Sequence, residues 1–147
     1  MSLLNYTTRI DPDKTASEIA KCLSSHGAKQ ILTDYDDEGR YVSALSFTII
    51  IGDRPMSFRL PCDWKPVFEI LKADPKVPRA NSTEEQAVRT AWRIVKDWVE
   101  AQMALVETRM TNTQDVFLPY AVMTNGKTLA ENMRSNPKLF LGSGEGN

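Results

Sequence analysis

The stretch that decides the fold is AWRIVKDWVEAQMALVE, residues 91–107. Its apolar residues return every three or four positions, which is the period of an α-helix. Just upstream, Ser82 and Glu85 have the spacing of a capping box, in which two side chains satisfy free amides of the first helical turn. The sequence therefore predicts a long helix over residues 83–108.

This helix is apolar over a wide arc. One stripe follows a 4-3-4-3-4 spacing and comprises Val88, Trp92, Val95, Val99, Gln102 and Val106. A second stripe comprises Ala91, Ile94, Trp98, Ala101 and Leu105. One small sheet would not cover so broad a surface. Either the helix is the spine of the domain, covered on two sides, or one stripe is a homodimer seam. We favour the seam, formed by Val88, Val95, Val99 and Val106.

Upstream of the helix the period changes to two. In YVSALSFTIII, residues 41–51, every second residue is apolar, as in a strand with one buried face: Leu45, Phe47, Ile49 and Ile51. Residues 29–35 and 56–60 are predicted to be neighbouring strands, because the connecting sequences DDEG and GDRP favour turns. We expect a three-stranded antiparallel β-meander.

Shorter helices are predicted around these elements. Thr15 and Glu18 have capping-box spacing at the start of an N-terminal helix that ends at Gly27, and Asp63 can cap a short helix over WKPVFEILK. The predicted fold is α+β: an N-terminal helix, the meander, and a long central helix with short flanking helices. We expect one domain over residues 1–141 and a disordered tail over 142–147.

The composition excludes several classes of protein. The 147 residues carry a net charge of −1, so no overall charge attracts nucleic acid or an anionic membrane. No apolar run approaches the ~20 residues that span a bilayer, and MSLLNYTTRI lacks the apolar stretch of a secretion signal. We therefore expect a cytoplasmic protein with no membrane partner.

Catalytic and metal-binding motifs are sparse. The chain has one histidine, His26, and no serine or cysteine in a nucleophile motif, so we assign no catalytic residues and no cofactor. Cys22, His26 and Cys62 are interpreted as ordinary half-buried residues rather than a zinc site. Residues 34–39 match the start of a calcium loop, but its twelfth position is Leu45 where glutamate is required, which favours an acidic hairpin turn.

AVMTNGKT, residues 121–128, fits the loosest spelling of a phosphate-binding loop, with Gly126, Lys127 and Thr128 at its end. Only 19 residues follow, too few for the strands that such a fold requires. Asn125 and Gly126 are also a favourable turn pair, so we interpret the stretch as a turn, with Thr128 capping a last helix. The preceding VFLPY, residues 116–120, is compatible with strand, loop or helix.

A possible nucleic-acid site lies on the long helix. Arg89, Arg93 and Lys96 share a face with Trp92, an arrangement that could hold single-stranded DNA by phosphate contact and stacking. Each cation also has a carboxylate one turn away, as solvent-exposed helix faces do. The expected pairs are Glu85 with Arg89, Arg93 with Asp97, and Lys96 with Glu100. The same four residues are candidates for contact with a protein partner.

Six segments in order, TDYDDEG, LSF, FRLP, AWRIVKDWVEAQMALVE, VFLPY and GKTL, resemble a group of small phage- and prophage-encoded proteins. The resemblance implies a protein of a virus or mobile element that acts in the bacterial cytoplasm; it supplies no catalytic residues. We expect a non-catalytic binding protein that sequesters or blocks a host factor or small ligand, with antagonism of host defence as one version. The alternative is an accessory single-stranded DNA-binding protein of phage replication or recombination. An enzyme is the least favoured class.

Overall fold

The computed structural model describes residues 2–139 and has the predicted α+β architecture. Its helices and strands are α1 (Pro12–Ser25), β1 (Gln30–Tyr35), β2 (Val42–Ile51), β3 (Arg54–Arg59), α2 (Trp64–Ala73), α3 (Glu84–Glu107), α4 (Thr113–Val116) and α5 (Leu129–Arg134). Short 3-10 turns lie at Arg79–Asn81, Leu118–Tyr120 and Pro137–Leu139. The single domain over residues 1–141 stays a prediction, and the tail at 142–147 lies outside the described residues.

The long helix α3 is the spine of the fold. It begins after Thr83, whose hydroxyl accepts a hydrogen bond from the Gln86 amide at 3.1 Å, so the cap lies one residue later than predicted. Helices α1 and α2 both pack along α3. Most of its apolar arc is therefore covered within the chain, whereas Ala101 and Leu105 of the second stripe stay exposed.

The proposed dimer seam needs correction for this reason. Val88, Val95 and Val99 are buried in the protein's own core, and Val106 packs against the same core. A surface that the chain itself covers cannot also receive a second copy.

The three strands form an antiparallel sheet in the order β1-β2-β3, as predicted. Phe47 on β2 faces Ile31 on one side and Phe58 on the other. Together with Leu45 and Ile49, the two phenylalanines are buried on the face that packs against the helices. Ile51, predicted on this buried face, is 36% exposed because it stands at the end of the β2-β3 hairpin.

Helix α1 begins earlier than the capping-box spacing predicts. Asp11 is its N-cap, with its carboxylate accepting from the Asp13 amide at 2.8 Å, and Pro12 occupies the first turn. An aspartate followed by proline is a strong helix start, which explains why it outcompetes Thr15. The cap predicted for α2 is confirmed: Asp63 accepts a hydrogen bond from the Lys65 amide.

The N-terminal segment is tied to α3 by buried polar contacts. Gln86 is only 4% exposed, and its side-chain amide donates to the carbonyls of Tyr6 and Thr8, both at 2.8 Å. The Asn5 amide donates to Asp97 at 2.8 Å. These bonds satisfy the polar groups that the contact removes from water.

Residues 113–128 take a mixed course that the sequence left open. Helix α4 and a 3-10 turn carry Phe117 into the core, where its ring lies 5.3 Å from that of Phe47. The chain then runs beside β3: Ala121 bridges Phe58, and the Val122 amide donates to the Ser57 carbonyl at 2.8 Å. We call residues 121–128 the closing segment.

Candidate binding surface

The structure places the predicted nucleic-acid residues at internal contacts, and Trp92 is the clearest case. Its side chain is 1% exposed, and the indole N–H donates to the Val42 carbonyl at 3.1 Å. A ring buried between helix and sheet cannot stack on a base. The stacking role predicted for Trp92 is therefore wrong in this structure.

The three cations beside Trp92 are engaged within the chain. The Arg89 guanidinium donates twice to the Gln86 side-chain oxygen, at 3.0 and 2.7 Å. Arg93 donates to the Glu18 carboxylate at 2.6 Å, and this hydrogen bond lowers the pKa of Glu18. Lys96 pairs with Glu100 at 2.8 Å, as predicted.

The other two predicted ion pairs are not the ones observed. Arg93 bonds to Glu18 on α1 rather than to Asp97, which accepts from Asn5. Arg89 uses Gln86 in place of Glu85. Arg93 thus ties α3 to α1, whereas Arg89 and Lys96 are engaged within α3 itself.

The candidate metal and catalytic residues are also placed in structural roles. Burial raises the pKa of the Cys62 thiol to about 12, which disfavours the thiolate that binds zinc or attacks a substrate. His26 shares a hydrogen bond with the Cys22 carbonyl at 2.8 Å. Within residues 2–139, no three His, Cys, Asp or Glu side chains are arranged to hold a metal ion.

The two motif-like stretches are turns, as predicted. The acidic one joins β1 to β2, and there Arg40 pairs with Glu38 at 2.8 Å. In the closing segment, Gly126 has a φ of +83°, the left-handed conformation that glycine adopts without strain. The Thr128 hydroxyl accepts from the Glu131 amide and caps α5, so it is already used.

The sheet has a second face, which the helices leave exposed. The pairing register assigns ten side chains to this surface, which we call the open face: Gln30, Leu32, Asp34, Ala44, Ser46, Thr48, Ile50, Pro55, Ser57 and Arg59. Leu32 and Ile50 are 60% and 50% exposed.

The open face contains a trough of about 600 Å³. Ser46, Thr48 and Ser57 form its floor with small hydroxyl side chains, and Thr48 and Ser57 share a hydrogen bond of 2.7 Å. Longer side chains on either side form the walls: Gln30 and Leu32 on β1, and Arg59 and Val122 opposite. The trough exists because the middle strand carries short residues between longer ones.

Arg59 is the charged side chain that lines this trough. Its guanidinium donates to the Gly126 carbonyl at 3.2 Å and lies 3.9 Å from the Glu131 carboxylate. A guanidinium has five N–H donors, so these two contacts leave capacity for an anionic ligand. The arrangement can hold a carboxylate beside a row of hydroxyls that both donate and accept.

Sequence reasoning noted the polar alternation of these strands but did not identify the open face as a site. The signal was present in Ser46 and Thr48, which alternate with buried residues on β2. Whether another element would cover that face depends on tertiary packing, which the alternation does not report.

Comparisons with protein-family models, with curated proteins and with solved structures found no match to this chain. Over residues 2–139, no helix is both long and apolar enough to cross a membrane.

Proposed function

We propose that this protein is a non-catalytic binding protein that sequesters or blocks a protein partner by holding an extended acidic segment of it on the open face. The observation that carries the proposal is the trough, with its polar floor and its arginine wall. The resemblance to phage- and prophage-encoded proteins supports a bacterial host protein as the partner, including a factor of host defence.

The shape of the trough favours a protein segment over a small ligand. Small-molecule sites are concave and bury most of the ligand surface. Here the walls stand on only two sides, formed by β1 on one side and by Arg59 and Val122 on the other, so the trough is partly open. An extended chain can lie in such a channel and exchange hydrogen bonds with Ser46, Gln30 and Ser57 through its backbone.

Charge favours an acidic segment. Arginine binds a carboxylate through paired hydrogen bonds that are stronger than neutral ones. Arg59 is positioned for this by its contact with Gly126, which limits the freedom of its side chain. The nearby Glu131 would compete with the ligand, so we expect binding of moderate strength that weakens as salt rises.

Single-stranded DNA is the less favoured ligand. Sequence-tolerant DNA binding needs aromatic platforms, and none of the ten side chains of the open face is aromatic. The basic residues of α3 are bound within the chain. We therefore do not expect single-stranded DNA to be the ligand.

The proposal is tested with defined probes. Fluorescein-labelled decapeptides with glutamate at alternate positions, matched lysine peptides and a thymidine oligonucleotide are titrated by anisotropy against the wild type, Arg59→Ala and Arg54→Ala. Arg54 is the matched control because it lies on the same strand, is exposed, and is absent from the trough. We expect binding of the acidic peptides alone, weakened about tenfold by Arg59→Ala, which corresponds to one charge-assisted hydrogen bond.

Circular dichroism confirms that each variant is folded. Acidic peptides that fail to bind, or that bind Arg59→Ala as tightly as the wild type, contradict the proposal. Preference for the oligonucleotide would establish the DNA-binding alternative instead.

A further inference from the structure

Strand β1 has one unpaired edge. It pairs with β2 along one side, and within residues 2–139 its residues 30–35 make no hydrogen bond outside that pairing. Every side chain of β1 except Ile31 is exposed. Half of the backbone amides and carbonyls of an edge strand point outward, where they form a template for another strand.

The usual protective devices are weak here. Edges are commonly blocked by proline, by an inward charge or by a covering element. Residues 30–35 contain no proline, and the one irregularity is a register shift between Asp34 and Tyr35. Regular pairing therefore extends over residues 30–34, with Leu32 at the midpoint.

These five residues are complementary to themselves in the antiparallel direction. A second copy centred on Leu32 places Gln30 opposite Asp34 and Ile31 opposite Thr33. Residues directly opposite in an antiparallel ladder lie on the same face of the sheet, so each pair makes side-chain contact. The amide of Gln30 can donate to the carboxylate of Asp34.

We propose that two copies of this chain pair antiparallel through β1, with the two-fold axis at Leu32. Leu32 is 60% exposed in the single chain, and in the pair it packs against Leu32 of the second copy. The charges at the two ends of β1 are opposite in sign, because Lys29 precedes the strand and the acidic turn Asp36–Glu38 follows it. Antiparallel pairing brings the positive end of each strand toward the negative end of the other.

The pairing joins the two open faces. A two-fold axis perpendicular to the sheet leaves both faces on the same side, so a six-stranded sheet presents two troughs side by side. Leu32 lies on the wall of each trough and at the centre of the pair. If the proposed function holds, the assembly binds two acidic segments at once and gains avidity. The pairing itself does not rest on that function.

Sedimentation velocity over a range of protein concentrations tests the pairing. The wild type should rise toward twice the 16.5 kDa of one chain. Leu32→Lys sets two like charges opposite each other at the axis, and we expect dimer formation at least tenfold weaker. Ile50→Lys is the matched control, because Ile50 is a 50% exposed apolar residue on the same face but on the middle strand. It should associate like the wild type.

A second variant locates the axis. Leu32→Cys should form a disulfide-linked dimer under mild oxidation, whereas Ile50→Cys should not. A wild type that stays monomeric at every concentration overturns the pairing and leaves the edge to a strand of another protein. Equal weakening by both lysine variants, or by neither, shows that any association uses a different surface and overturns it as well. Neither measurement involves the acidic peptides, so failure here is distinguishable from failure of the proposed function.

Discussion

The two edges of the sheet are finished in different ways. At β3, the closing segment lies alongside the strand: the Val122 amide donates to Ser57, and Ala121 bridges Phe58. Pro55, also on β3, has no amide to offer a further strand. At β1, by contrast, residues 30–35 find no hydrogen-bond partner beyond β2 among residues 2–139. One edge is completed within the chain and the other is left as a template.

The difference gives the motif-like stretch AVMTNGKT a physical role. Its backbone satisfies the edge of β3, its glycine reverses the chain, and its threonine starts α5. These three roles need only a tight turn and a helix cap. None of them needs a bound phosphate. Substitutions that weaken the closing segment should therefore destabilise the β3 edge and leave the β1 edge unchanged.

The largest loss of stability is expected on truncating Phe117, which anchors the start of the closing segment in the core. This ring is fully buried and lies 5.4 Å from the ring of Trp98, in an edge-to-face arrangement. Phe117→Ala leaves a cavity, and we expect the free energy of unfolding to fall by about 3–5 kcal/mol. Urea denaturation followed by tryptophan fluorescence measures the loss.

The neighbouring residue supplies the control for the anchor. Leu118 is 38% exposed, so Leu118→Ala should change the free energy of unfolding by no more than about 0.5 kcal/mol. Similar losses for the two variants would show that Phe117 does not anchor the closing segment.

The next largest loss of stability is expected on removing the hydrogen bond from the Val122 amide to the Ser57 carbonyl at the β3 edge. Val122→Pro deletes the amide that donates to Ser57, and Ala121 already has the extended conformation (φ −64°, ψ 130°) that a residue before proline adopts. We expect a loss of about 1–3 kcal/mol, because a backbone carbonyl at the edge loses its partner. Urea denaturation measures it.

Val122→Thr is the matched variant for the edge. It has a similar shape and keeps the amide, so its unfolding should follow the wild type more closely than that of Val122→Pro. If the threonine variant loses as much stability as the proline variant, the side chain of Val122 rather than its amide closes the edge.

A smaller effect is expected at the cap of α5. Thr128 is 5% exposed, and its hydroxyl accepts from the Glu131 amide at 3.2 Å. Thr128→Ala should cost about 1 kcal/mol, the usual contribution of an N-cap hydroxyl. Thr124→Ala, in the same segment but exposed, should cost less in the same denaturation experiment. Equal losses of stability in the two variants would show that the Thr128 hydroxyl contributes no more than an exposed threonine does.

These contacts also show what the sequence could and could not predict. Helix α3 and the meander were predictable because their periods are local properties of the chain. The path of residues 113–124 was not, because it depends on Phe117 meeting Phe47 and Trp98, which belong to other elements. The partner of Arg93 was missed for the same reason: Glu18 lies 75 positions away, whereas Asp97 is one turn away.

The candidate site was predictable only in part. The alternation of Ser46 and Thr48 marks a polar face on β2. Nothing local indicates that Arg59 would be held at the trough by Gly126, 67 positions further on. A position so distant in sequence becomes a neighbour only through the closing segment.

Glu131 forms the other half of the capping box at the start of α5. Its carboxylate should make the stability of the protein depend on pH. The hydrogen bond from the Thr128 amide lowers the pKa of Glu131 below its ordinary value of 4.5. A carboxyl group with a lowered pKa adds stability above that ordinary value, and this contribution is lost as the pH falls through the folded-state pKa. The stability difference between the wild type and Glu131→Gln should therefore shrink between about pH 5 and pH 3.

Urea denaturation of both proteins at several pH values measures this difference, so that the other carboxyl groups, present in both, cancel. Glutamine can still bond to the cap amide, which keeps the effect at neutral pH small. A difference that stays constant with pH would mean that the charge of Glu131 does not contribute.

The smallest effect is expected at Lys127. Its backbone closes the turn, with its carbonyl accepting from the Met123 amide at 2.8 Å and its amide donating to the Asn125 side chain at 3.0 Å. Lys127→Ala keeps both bonds, and the lysine side chain is exposed. We expect the free energy of unfolding to stay within about 0.5 kcal/mol of the wild type.

The same variant decides between a turn and a phosphate site, because a ligand that binds only the native state raises its melting temperature. Thermal shift with magnesium and ATP should leave the wild type, Lys127→Ala and the exposed-lysine control Lys76→Ala unchanged. A shift seen in the wild type and in Lys76→Ala but lost in Lys127→Ala would identify a phosphate-binding loop. In that case the segment would bind a nucleotide at the same place where its backbone completes the edge of β3.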